Sequence, residues 1–164
     1  NLAIVYMETI ALPISFSFGA EIVVTMYTEL SNMFNAAVCA LVAMFQLGNL
    51  FTGWDLPRWL KRLKFLSTSC LAMTFLTVVV ILAPMYEDGN GWYIMLCTSS
   101  MLYHHLLNPL AAMVSFVLLE RQPRLPRSAT VWALLPTVVY GSIILVLMLS
   151  FVSPFDKVFV NFFS

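Results

Sequence analysis

The sequence predicts an all-α integral membrane protein, a bundle of about five membrane-crossing helices. Three observations predict it: 61% of the 164 residues are hydrophobic, only 10% are charged, and the apolar residues gather into long runs. The runs approach the roughly 20 residues that cross about 30 Å of hydrocarbon as a helix. A mean hydropathy of +0.90 leaves too little polar surface for a water-soluble globule.

The first segment, Leu2 to Ala20, is apolar, carries Glu8 and Pro13, and lacks a basic start. It therefore reads as a membrane segment and not as a cleavable signal peptide. Four clearer segments follow at Thr25 to Phe51, Leu63 to Pro84, Trp92 to Leu119 and Ala129 to Phe151. The joints carry helix-breaking chemistry: Gly53 and Pro57, then Glu87-Asp88-Gly89-Asn90-Gly91, then Gln122 to Pro126 with two prolines. Residues 1–164 thus form a single transmembrane domain with no room for a soluble one. The chain opens without methionine and stops inside an apolar run, Val158 to Phe163, so a sixth, truncated helix is an expectation.

Charge placement predicts orientation. Arg58, Lys61, Arg62 and Lys64 follow the second segment, and Arg121, Arg124 and Arg127 follow the fourth. Two crossings separate the groups, so both lie on one side, and the positive-inside rule makes loops 52–62 and 120–128 cytoplasmic. Trp54, Trp59, Trp92 and Trp132 sit near segment ends, where indoles favour the water–lipid boundary.

Equal numbers of acidic and basic residues, eight of each, remove the electrostatic footprint of nucleic-acid binding, so no nucleic-acid partner is expected. The three cysteines, Cys39, Cys70 and Cys97, form no C-x-x-C pair, and neither a metal nor another cofactor is expected. Nucleophile-elbow, H-E-x-x-H and Walker motifs are absent.

Polar side chains in a spanning helix turn toward other helices or a wet cavity. At helical spacing, Thr28, Ser31, Asn32, Asn35, Cys39 and Gln46 share a face of the second segment. Ser67, Cys70, Thr74 and Thr77 do so on the third, and Thr98, Met101, His105, Asn108, Ala112 and Ser115 on the fourth. Taken singly, such residues serve most simply as interhelical fastenings.

The two histidines of the chain fall together in His104-His105-Leu106-Leu107-Asn108-Pro109, in mid-span. Pro109 has no N–H, so the carbonyl four residues earlier, that of His105, is expected to lose its helical partner. An intramembrane imidazole is a functional-site hypothesis by default; the plainer reading is a neutral histidine bonded between helices. Adjacent histidines diverge by about 100° on a helix, which argues against one shared metal or haem. A hydroxyl partner fits better. Thr28 enters from the same side as the histidines, and Asn32, Asn35 or Asn108 would supply amide donors to an oxyanion. Glu29 reads as a solvated interfacial charge or an orienter of the base; Glu8, the one deep acid, as a partner for histidine, a proton route or a water-facing group.

The run Tyr27-Thr28-Glu29-Leu30-Ser31-Asn32, the basic Pro57 to Lys64 stretch and His104-His105-Leu106-Leu107-Asn108-Pro109 resemble bacterial multi-pass proteins of unassigned function. These in turn look distantly similar to the androgen-induced membrane hydrolases, which cleave fatty acid esters of hydroxy fatty acids. The resemblance spans about Thr25 to Phe151 and implies a threonine nucleophile at Thr28 with a histidine partner upstream of the proline, His104 or His105. Spacing to Pro109 fits the family better for His104, whereas the polar stripe favours His105. The stretch Glu29 to Asn32 is more polar than in the animal enzymes. The implied function is an intramembrane lipid ester hydrolase in a bacterial plasma membrane, with a lipid-like substrate entering from the bilayer. The alternative is a non-enzymatic small transporter, or a lipid- or protein-binding membrane subunit with a polar helix interior.

Overall fold

Apolar runs of this length, with no polar period to hold a strand edge, have one way to satisfy their backbone in lipid, which is to bond within each segment. The computed structural model is helical accordingly, with no strand among the described residues, which are 1–53, 55–120 and 128–150; of Ile22, Thr52, Met148 and Leu149 only the backbone is described.

Helix α1 covers Leu2–Phe18 and ends at Gly19, whose φ of 143° favours glycine. Helix α2 is Ala20–Thr25, and Met26, in extended conformation, separates it from α3, Tyr27–Thr52. The junction is sealed from α8, Ser128–Ser150. The Tyr140 hydroxyl accepts from the Tyr27 amide at 3.1 Å and donates to the Thr25 carbonyl at 2.8 Å. Helix α4, Arg58–Thr77, continues through a π turn, Val78–Leu82, and a 3-10 turn, Ala83–Met85. Then come α5 (Gly91–Cys97), α6 (Ser99–Met101), a π turn at Leu102–Leu107, α7 (Asn108–Val114) and a π turn at Ser115–Leu119.

Four stretches are long and apolar enough to cross a membrane: Tyr27–Phe51, Arg58–Met85, Ser99–Leu119 and Ser128–Leu147. The remaining expected segment is α1, apolar but shorter, at 17 residues. Expectations placed on Trp54, Arg121 to Arg127 and the segment 151–164, including Val158 to Phe163, lie outside the described residues.

Helices α1, α3, α4 and α7 meet around Ile4, Cys39, Leu71 and Ala112, one small or branched residue from each. A second cluster, Val38, Val42 and Leu60, fastens α3 to α4. The polarity is inverted relative to a soluble protein. Phe51, Leu50 and Leu118 are exposed, whereas Glu8, Asn32, Asn35, Lys64, His104 and Asn108 are buried. In lipid that is the favourable sense, since the outer surface then needs no polar partner.

Two expectations are corrected. Helix α4 begins at Arg58, so Arg58, Lys61 and Arg62 ride its first two turns and are not loop charges. Lys64 is fully buried, its Nζ 2.8 Å from Cys39 Sγ and 4.0 Å from Glu120 Oε1.

Candidate functional site: a carboxylate–histidine centre between helices

The segment Trp92 to Leu119 is broken at Thr98–Ser99, where Ser99 takes a φ of 49° and Thr98 is extended. Left-handed backbone costs a non-glycine residue about 1–2 kcal/mol, and two side chains offset the loss. The Thr98 hydroxyl donates to the Ile94 carbonyl at 2.6 Å, and His105 Nδ1 lies 2.8 Å from the carbonyl of Met95. His105 therefore mends the break. Phenylalanine at 105 is expected to cost about 1–3 kcal/mol, the penalty for a buried acceptor left unmade, read as a lower unfolding midpoint in detergent. Glutamine, which keeps a donor, should recover part of that; equal midpoints for the two variants would refute the role.

Below the break the helix widens into the π turn Leu102–Leu107, which changes the outcome expected at Pro109. In the π register the Asn108 amide bonds to Tyr103, five residues back, so the carbonyl that Pro109 leaves unserved is His104's and not that of His105. Asn32 supplies the missing donor: its Nδ2 bonds the His104 carbonyl at 3.1 Å and the Thr28 carbonyl at 2.8 Å. One amide thus ties the first turn of α3 to the histidine turn.

The His104 imidazole, 1% exposed, reaches two carboxylates. Nδ1 lies 3.1 Å from Glu29 Oε2 and 3.2 Å from Oε1, and Ser15 Oγ donates to the same Oε1 at 3.0 Å. On the other edge, Nε2 stands 3.2 Å from Glu8 Oε2, yet that approach lacks the alignment of a hydrogen bond, and Nε2 has no directed partner. Glu8 is held instead by Asn108, whose Nδ2 donates to Glu8 Oε2 and to Asn32 Oδ1, both at 3.0 Å. Glu29, expected at the surface, is 5% exposed because α1 lies over it with Ser15.

Each site residue inferred from sequence can now be located. His104 is central and His105 lies on the mended break. The Thr28 hydroxyl bonds neither imidazole among the described residues, although the Thr28 and His104 carbonyls share the Asn32 amide. Asn32 and Asn108 have both amide hydrogens committed, so neither offers a donor to an oxyanion. Asn35 sits a turn further along α3, where its Oδ1 accepts from Ser67 at 2.9 Å and its Nδ2 has no partner among the described residues. The first turn of α3 supplies other donors. Tyr27's amide goes to Tyr140 and Leu30's to Met26, leaving those of Thr28 and Glu29 without an acceptor among the described residues.

Sequence reasoning missed Ser15 and Lys64. Ser15 lies seven residues from Glu8 in α1, two turns along one face, and that spacing was the available signal. Among the described residues no three His, Cys, Asp or Glu side chains converge to hold a metal ion. No family model matches this chain, and no curated protein or solved structure is significantly similar to it.

Proposed function

We propose that the chain is an intramembrane lipid ester hydrolase with Thr28 as nucleophile and His104 as the acid–base group. The observation that carries this reading is the asymmetry of His104: Glu29 holds Nδ1, whereas Nε2, 3.2 Å from Glu8, has no directed partner among the described residues. In its neutral form the ring keeps its proton on Nδ1, against Glu29, and only then offers an Nε2 lone pair for base work. Thr28 precedes Glu29 on the same first turn, half-buried, with two amide donors beside it. In this scheme an ester carbonyl rests at the start of α3. Thr28 Oγ1 attacks the carbonyl carbon while its proton passes to His104 Nε2, directly or through one water. Collapse breaks the ester C–O bond, and the same proton goes to the departing alkoxide. Water, deprotonated by the imidazole, then releases the fatty acid and restores Thr28. Glu8, beside Nε2, stabilises the imidazolium of both steps.

The positive-inside rule, applied to Arg58, Lys61 and Arg62 at the start of α4, puts that end of the bundle in the cytoplasm and the Thr28 end near the outer leaflet. The enclosing membrane is read as a bacterial plasma membrane on the resemblance alone. A second reading is favoured by the flanking of one imidazole by two carboxylates, the arrangement of a proton relay in transporters.

The test is hydrolysis of long-chain acyl esters by purified protein in detergent. Thr28→Ala is expected to lower turnover by about 10³-fold or more, as loss of a nucleophile does, with Thr28→Ser retaining measurable activity and His104→Gln falling to background. Wild-type inactivity across the ester panel, or activity indifferent to Thr28→Ala, would favour the relay. Proton flux into liposomes, abolished by His104→Gln, would then establish it.

A further inference from the structure

At the Arg-rich end of the bundle, helices α4 and α8 part to leave a cleft of about 540 Å³. One wall carries Arg58, Trp59 and Arg62 from the first turns of α4, the other Trp132 and Ala133 from α8, and Leu66 lies deeper. Arg58 and Arg62 are exposed, one turn apart, and neither forms an ion pair with any described residue. Trp59 and Trp132 are 55% and 65% exposed. This cleft shares no lining residue with the His104 centre.

We propose that the cleft binds the headgroup and upper acyl chains of an anionic glycerophospholipid. Four features select that occupant. Two guanidiniums a turn apart, neither paired among the described residues, match a phosphodiester, which they bind through several donors. Two tryptophans mark the headgroup level, where indoles settle. The wall becomes apolar toward Leu66 and Ala133, so a ligand seated there is charged at one end and hydrocarbon at the other, as basic pockets between membrane helices require. The volume lies within the 300–1,000 Å³ range, roughly, of small-molecule sites. Helix α8 buries little against its neighbours, with 6% of its spanning window buried, and a lipid wedged between α4 and α8 adds the contact that the protein omits.

The experiment is native mass spectrometry of the full chain, exchanged from detergent into mixed micelles of phosphatidylglycerol and phosphatidylcholine at equal mole fraction. Wild type should retain phosphatidylglycerol over phosphatidylcholine, and Arg58→Gln and Arg62→Gln should each lower that preference about fivefold, the worth of one interfacial charge. Lys61→Gln, which does not line the cleft, should leave it unchanged. Both arginines are exposed, so the variants should keep the wild-type unfolding midpoint. Equal retention of the two lipids, or a preference indifferent to both arginine changes, refutes the site. Displacement of phosphatidylglycerol by millimolar inorganic phosphate also overturns it, because the cleft would then recognise a free anion and not a lipid.

Discussion

Alanine in place of His104 is expected to destabilise the bundle by about 3–5 kcal/mol, the cost of breaking a buried ion pair from one side. The imidazole stands between Glu8 and Glu29, whose side chains are each 6% exposed. Without it, two carboxylates face one another across a cavity, with Asn108 on one and Ser15 on the other as the only remaining donors described. Two buried carboxylates with no cation between them repel one another strongly in a low dielectric. The measurement is equilibrium unfolding in detergent. The same alanine placed in a Glu8→Gln/Glu29→Gln background should cost about 2–3 kcal/mol less, because the penalty comes from the stranded charges and not from lost volume. An undiminished cost in that background would assign the effect to packing and remove the electrostatic account of the centre.

How much of this centre was legible in the sequence differs from residue to residue. Segment length and hydropathy predict the spanning helices, because backbone satisfaction in lipid leaves no competing architecture. The polar face of α3 is readable over its first half: Ser31, Asn32, Asn35 and Cys39 are all buried on a helix with a 3.6-residue period, whereas Gln46, placed on the same face, is exposed. On the segment Trp92 to Leu119 the stripe is incomplete: His105, Asn108, Ala112 and Ser115 are buried as drawn, but so is His104, which lies off it. A stripe drawn from Thr98 to Ser115 assumes one continuous α-helix, but the break at Thr98–Ser99 and the π turn at Leu102–Leu107 each rotate the residues beyond them. A stripe through His105 therefore misidentifies the central histidine, while spacing to Pro109 does not. Glu29 was misplaced for a different reason. A helix start suggests an interface, yet α1 packs alongside and covers it, and tertiary cover has no signature in the local sequence.

Lys64 is the clearest case of cover overriding local context, and methionine there is expected to cost about 3 kcal/mol. In sequence it belongs to a basic run and reads as one more interfacial charge. In the fold it lies nearly two turns inside α4, fully buried. Its Nζ contacts the Cys39 thiol at 2.8 Å and approaches Glu120 at 4.0 Å, and Ser115 Oγ donates to the same Glu120 oxygen at 3.4 Å. Along α3, Cys39 is ten residues past Glu29, so this second charged layer sits about 15 Å from the first. Methionine nearly conserves volume, so loss on Lys64→Met measures charge, and the Glu120 carboxylate then stays buried without this cation. The double variant Lys64→Met/Glu120→Gln should recover about 1–2 kcal/mol relative to additivity, the coupling expected of groups in one network. A neutral Lys64→Met with no coupling would mean that the ammonium extends along its stem to the Arg-rich surface. The layer would then be held by apolar packing and neutral hydrogen bonds, and Lys64 would give α4 no electrostatic tie to the segment that ends at Leu119.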